Sequence, residues 1–144
     1  METPKFVYVA QQQVGEILVT APTPGKTQIE PFHSFMKSQG APFSILEDTA
    51  VESNKVELHT DEEDVWVCLQ GEAWFKLGGE MVDPFPSTSG GAPNVKEMRS
   101  QEVQGATTVI MKPGEWLWIP AGVPHQHGAS GTARFMVFKC KPKA

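Results

Sequence analysis

His125 closes a tightly constrained stretch, Gly114-x5-Pro120-x-Gly122-x2-His125. Four residues fixed at these spacings arise by chance on the order of once in a thousand chains of this length, given average residue usage. Pro113 and Gly114 read as a turn, residues 116–119 as a strand, and the run from Pro120 to Pro124 as a sharp bend before a second strand that His125 opens. The prolines fix φ, so the imidazole is presented from a stiff corner at low ordering cost. A metal ligand or a general base needs that kind of placement. His127 lies two residues further and shares the face of His125 on a strand. It is a candidate acid or base, an extra ligand or a residue of the rim.

This stretch resembles the second conserved motif of the cupin superfamily, G(X)5PXG(X)2H(X)3N, and departs from it at the last position, where Ala129 stands for Asn. The resemblance implies a first motif upstream, G(X)5HXH(X)3,4E(X)6G. Its spacing is kept in Glu57-x-His59-x4-Asp64-x6-Gly71, with Glu57 for the first His, Asp64 for the usual Glu and Val51 for the opening glycine. A second register would make His59 the first histidine and Asp61 the second; no acid then follows at the required distance, because Val65 and Trp66 occupy those positions. Asp61 stays a reserve ligand.

Strand parity agrees with the first register. Glu57 and His59 are two apart and share a face, as do Asp64, Trp66 and Cys68 on the next strand. If those faces line a barrel, Glu57, His59, Asp64 and His125 converge. Two imidazoles and two carboxylates neutralise a divalent ion and favour Fe(II), Mn(II), Ni(II) or Zn(II) over Ca(II). The resemblance implies the same, since many cupins hold such a metal at the matching positions; others lack it.

The expected function is therefore a metal-dependent small-molecule enzyme acting on an oxygen-rich substrate. Lewis-acid polarisation would serve an isomerase, lyase or cyclase, with His127, or Glu57 if it is not a ligand, moving a proton. Fe(II) at the same residues would permit dioxygenase chemistry. A non-catalytic metabolite-binding cupin is the alternative from another class. Trp66, Trp116 and Trp118 are candidate walls of the substrate pocket, with core packing as their other reading.

The elements that must hold these residues are short. Gly and Pro together make up about 17% of the chain and separate β-rich runs, which points to an all-β sandwich or barrel. The resemblance specifies a double-stranded β-helix, the jelly-roll barrel of cupins. Runs at 6–10, 16–20, 43–46, 55–59, 65–70, 72–77, 107–111, 116–119 and 133–141 read as strands, and 32–38 as one or two helical turns. Residues 1–42 are expected as an N-terminal arm and 43–141 as the barrel. Residues 80–105 are expected as a long inter-motif insertion, a surface excursion or a lid, with a short helix at 94–102 capped by Asn94. Residues 65–69 and 135–138 are apolar on both faces and need cover on both sides, which motivates a homodimer.

The chain's 144 residues fit one domain. A net charge of −5 without a basic cluster argues against nucleic acid as a partner. No apolar run is long enough for a bilayer, and Met1 to Pro4 carry no mark of a secretory leader. Cys68 and Cys140 make no disulfide framework. These bounds describe a cytoplasmic domain with a small-molecule ligand.

Overall fold

The computed structural model describes residues 5–88 and 90–143, so the leader reading of Met1 to Pro4 lies outside the described residues. The chain order is α1 (Gln11–Leu18), β1 (Gly25–Gln28), α2 (Phe32–Gln39), β2 (Phe43–Val51), β3 (Val56–His59), β4 (Glu63–Gln70), β5 (Ala73–Leu77), β6 (Glu80–Val82), β7 (Phe85–Ser87), β8 (Asn94–Ser100), β9 (Glu102–Gln104), β10 (Thr107–Met111), β11 (Trp116–Ile119) and β12 (His125–Cys140). The fold is the expected double-stranded β-helix.

Two antiparallel layers share the 16-residue strand β12. Its first residues, His125 to Gly128, pair with β5, and His125 also faces Glu57 of β3. Its later residues pair with β2 and β4, after a register shift between Ala129 and Thr132. One layer thus runs β1-β2-β12-β4-β11; the other joins β10 and β5 to β12 and continues through β3, β8 and β7. Small residues at the crossing, Gly128, Ala129 and Gly131, let one strand serve both layers.

Alternation along the strands sets the core. Leu46, Trp66, Cys68, Phe75, Met111, Phe135 and Val137 point inward and pack together between the layers. Each fully buried large side chain there contributes about 1.5–3 kcal/mol. The opposite face of β2, β4 and β12 carries Ile45, Leu69 and Met136. Phe32 and Met36 of α2, Ile17 of α1, and Val7 and Val9 of the arm cover it. The doubly apolar strands are therefore covered in part from within the chain.

Gly71 closes the β4–β5 turn at φ +74°, and a Cβ there would come within 2.0 Å of the Thr132 carbonyl oxygen. Both backbone conformation and β12's close approach demand glycine.

Three expectations are corrected. Residues 6–10 are not a strand and lie in no helix or strand, and residues 16–20 are not one either; they fall largely in α1, whose first turn is closed by Gln13 Oε1 accepting from the Ala10 N–H at 3.2 Å. Packing of Ile17 against the outer cluster overrides the β preference of the run. Residues 94–102 are not a helix but β8 and the start of β9, because β3 takes β8 as its neighbour, with Glu57 opposite Arg99 and His59 opposite Glu97. Within residues 80–105, β7 and β8 extend the layer, and β6 pairs with β9.

Candidate metal centre

Four side chains meet at the barrel mouth. Glu57 and His59 come from β3, Asp64 from the start of β4, and His125 from the first position of β12. The Pro120–Pro124 corner positions His125: its Gly122 N–H donates to the His59 carbonyl at 2.7 Å, tying the bend to β3. His125 and Glu57 are then direct cross-strand partners.

The donor atoms form a closed ring. His59 Nε2 lies 3.7 Å from Glu57 Oε2 and 3.9 Å from Asp64 Oδ2. His125 Nε2 lies 3.6 Å from Asp64 Oδ2 and 4.0 Å from Glu57 Oε2. The imidazole centroids are 5.2 Å apart. Neighbouring donors thus stand 3.6–4.0 Å apart, and those of Glu57, His59 and His125 all lie within 4.8 Å of one another; ligands of a tetrahedral first-row ion at about 2.1 Å stand roughly 3.4 Å apart, so the donors draw inward to hold one.

Hydrogen bonding at the remaining atoms aims these donors inward. His125 Nδ1 lies 3.0 Å from the Val123 carbonyl oxygen, which only accepts, so Nδ1 carries the proton and Nε2 presents its lone pair. Asp64 Oδ1 accepts from Lys139 Nζ at 2.8 Å, leaving Oδ2 to the centre. His59 Nε2, Asp64 Oδ2 and His125 Nε2 are buried and have no hydrogen-bond partner among the described residues. Buried polar atoms left without partners are costly, and three converging on one point fit a cation.

Electrostatics agree. Burial alone would raise the Glu57 carboxyl, but Lys26, His125, Arg99 and His127 outweigh it and hold the group at about 2. Burial lowers His125 to about 4, against the Val123 carbonyl and Asp64, which act to raise it. In metal-free protein this has a measurable consequence. Below pH 6.5 the unfolded chain protonates His125 while the folded chain resists until about pH 4. Stability is thus lost as pH falls from 6.5 toward 4. Urea midpoints of chelator-treated protein at pH 7, 5.5 and 4.5 test it, and His125→Gln should flatten that part of the profile.

Other expected site residues fall elsewhere. Asp61 is exposed and pairs with Lys96 at 3.3 Å, away from the ring. His127 is not at the rim: it is buried, with Nδ1 2.5 Å from Asp48 Oδ2 and its ring 4.8 Å from that of Trp66. Trp66 lines a cavity of about 280 Å³ that also reaches Glu57. Trp116 and Trp118 do not: they are 70% and 60% exposed, beside Val67 and Val65 on the outer face. Their parity on β11 is opposite to the inward-facing Leu117 and Ile119. A larger cavity of about 770 Å³ lies between α1, β1 and α2 and touches none of the four donors.

Sequence reasoning missed Asp48, Glu47 and Arg134. Asp48 links β2 to His127 across the barrel. Glu47 faces outward and bonds Arg134 Nε at 2.7 Å. Adjacent acids inside the apolar run of β2, and an arginine between Ala133 and Phe135, were the available signal, since buried charges need partners.

The family model of the JmjC domain matches residues 23–142. Among solved structures, FeII HppE is similar at 14% identity and a TM-score of 0.45, over 68% of this chain and 42% of that one. An oxalate oxidase is similar at 13% identity and 0.47, over 98% and 68%. Hydroquinone 1,2-dioxygenase from Sphingomonas sp. TTNP3, solved with 4-hydroxybenzoate bound, is similar at 9% identity and 0.44, over 100% and 85%. This chain thus spans less than half the length of the HppE chain. No curated protein matches it in sequence. Barrel, Gly114–His125 corner and family match agree: the chain belongs to the JmjC domain family, within the cupin superfamily.

Proposed function

We propose that this chain is a metal-dependent enzyme acting on a small oxygen-rich molecule. The observation that carries the reading is the ring of Glu57, His59, Asp64 and His125, three of whose buried donor atoms have no other partner among the described residues. The donor set suits one divalent transition ion, Fe, Mn, Ni or Zn. Bound there, the ion would polarise substrate oxygens as a Lewis acid.

The chain's own residues supply the rest. The cavity beside Glu57 and Trp66 receives the substrate. Lys139 orients Asp64, and the Val123 carbonyl orients His125. Asp48 holds His127 by Nδ1, leaving Nε2 as the atom at which a proton is held or moved. This arrangement serves an isomerase, lyase or cyclase.

A second reading, Fe(II) dioxygenase chemistry, is favoured by one further observation. Glu57 Oε1 is engaged by Lys26 at 3.2 Å and lies 3.8 Å from Arg99. Should Glu57 stay with these cations, two imidazoles and the Asp64 carboxylate remain, the set that leaves open positions on non-haem iron.

Ligand assignment separates Asp64 from its acidic neighbours. Asp64→Asn, which takes the charge off a direct ligand, should lower metal affinity by at least about 100-fold, more than the loss of an outer partner, whereas Asp61→Asn, on the exposed turn, should leave it unchanged. Elemental analysis after dialysis against graded chelator reads both. The opposite order would move the centre to the turn and remove this function.

A further inference from the structure

The layer that ends in β11 leaves an apolar margin open. β11 pairs with β4, and its other edge meets no strand among the described residues. Edge strands are ordinarily guarded by charge, proline or a bulge. The four residues of β11, Trp116 to Ile119, carry no charge and no proline, and their register with β4 is unbroken.

Two apolar rows cross the outer face of this layer. Trp116, Val67, Met136 and Ile45 stand opposite one another across β11, β4, β12 and β2, and Trp118, Val65, Phe138 and Phe43 form the next row. At the β2 end α2 and the arm cover the rows, and Ile45 is fully buried. Val65 and Val67 are half-buried, and the two indoles at the β11 end are largely exposed. The arm adds to this face. Val7 and Val9 pack into the cluster that holds Leu69 and Met136, while Phe6 and Tyr8, between and beside them, stay exposed.

Phe6, Tyr8, Trp116 and Trp118 are between 60% and 85% exposed and together present roughly 600 Å² of surface. Apolar patches on monomers seldom exceed that size. A stable interface takes about 800 Å² from each partner, and Val65, Val67 and the free β11 backbone supply the remainder. A two-fold axis also demands a surface that fits itself. β11 meets this demand: laid antiparallel on a second β11 about Leu117, each tryptophan faces a tryptophan on the same side of the sheet, and the free backbone groups pair. We infer that a second copy of this chain docks on this margin, β11 against β11, joining the two layers into one sheet with the four tryptophans packed together. Docking there requires no metal.

Sedimentation equilibrium of the full chain at about 50 μM, above the micromolar limit of interfaces this size, should give twice the single-chain mass of 15.8 kDa. Trp116→Gln combined with Trp118→Gln should raise the dimer dissociation constant at least about 100-fold, because tryptophans are frequent hot spots and the two-fold counts each loss twice. Both side chains are largely exposed, so the double variant stays folded, and circular dichroism checks that. Hydrogen exchange of wild type at about 1 and about 100 μM needs no substitution: amides of residues 116–119 should exchange more slowly in the concentrated sample. Wild type of single-chain mass leaves this face to a different protein and overturns the inference. A dimer that the double variant leaves intact, or one in which β11 amides gain no protection, overturns it too.

Discussion

His125→Ala should abolish stoichiometric metal binding, with a loss of affinity of at least about 100-fold, while the chain stays folded. The side chain lost is the donor most completely prepared for a cation. Its ring is buried, the Val123 carbonyl places the proton on Nδ1, and Nε2 turns to the ring of donors. Removing an outer partner of a ligand costs 10–100-fold, and removing the ligand itself costs more. Folding survives because two effects oppose each other. The substitution leaves a cavity, which destabilises, and it deletes a buried nitrogen that has no partner among the described residues in the metal-free chain, which relieves a desolvation cost. Elemental analysis and a urea unfolding curve on the same preparation read both halves.

Arg134→Met should destabilise the fold by about 3–5 kcal/mol, the scale on which a buried pair is broken by removing one partner. Arg134 is among the largest fully buried side chains. Its Nε donates to Glu47 Oε1, and its Nη atoms donate to the carbonyls of Ile17, Leu18 and Thr20 and to Gln70 Oε1. One guanidinium thus ties the end of α1 to β2, β4 and β12. Without it the Glu47 carboxylate stays buried, with the Thr23 N–H at 2.8 Å and the Thr49 hydroxyl left to satisfy it. Pairing the substitution with Glu47→Gln should recover part of the loss, because the stranded charge is then gone. Urea midpoints of wild type, the two single variants and the double variant decide this. A double variant no more stable than Arg134→Met would show that the lost carbonyl contacts, not the charge, dominate.

What was legible in the sequence was local. Pro120, Gly122 and Pro124 restrict the backbone by themselves, so the corner that presents His125 can be read without knowing what surrounds it. The shared face of Glu57 and His59 follows from strand periodicity alone, and Gly71 marks a turn that only glycine can make against β12. The unread parts depend on partners far away in the chain. β8 has the cap and composition of a short helix, yet β3 claims it as a neighbour; α1 carries the valine and isoleucine of a strand yet is held by Gln13 and by packing of Ile17. Asp48 finds His127 79 residues away, and Glu47 finds Arg134 87 residues away. Trp116 and Trp118 show the same limit: parity placed them together on one face of β11 but did not say which face was inside.

His59 and His125, brought together by separate strands, are proposed to share one cation with Asp64, and the rest of the functional reading stands or falls with that. Anomalous diffraction from crystals of protein grown with iron, manganese, nickel or zinc, recorded at the absorption edge of the metal supplied, locates the ion itself. A single strong peak is expected within bonding distance of both Nε2 atoms and of Asp64 Oδ2. A metal-replete crystal with its peak elsewhere, or crystals from all four metals with no peak between the two imidazoles, would refute the shared site.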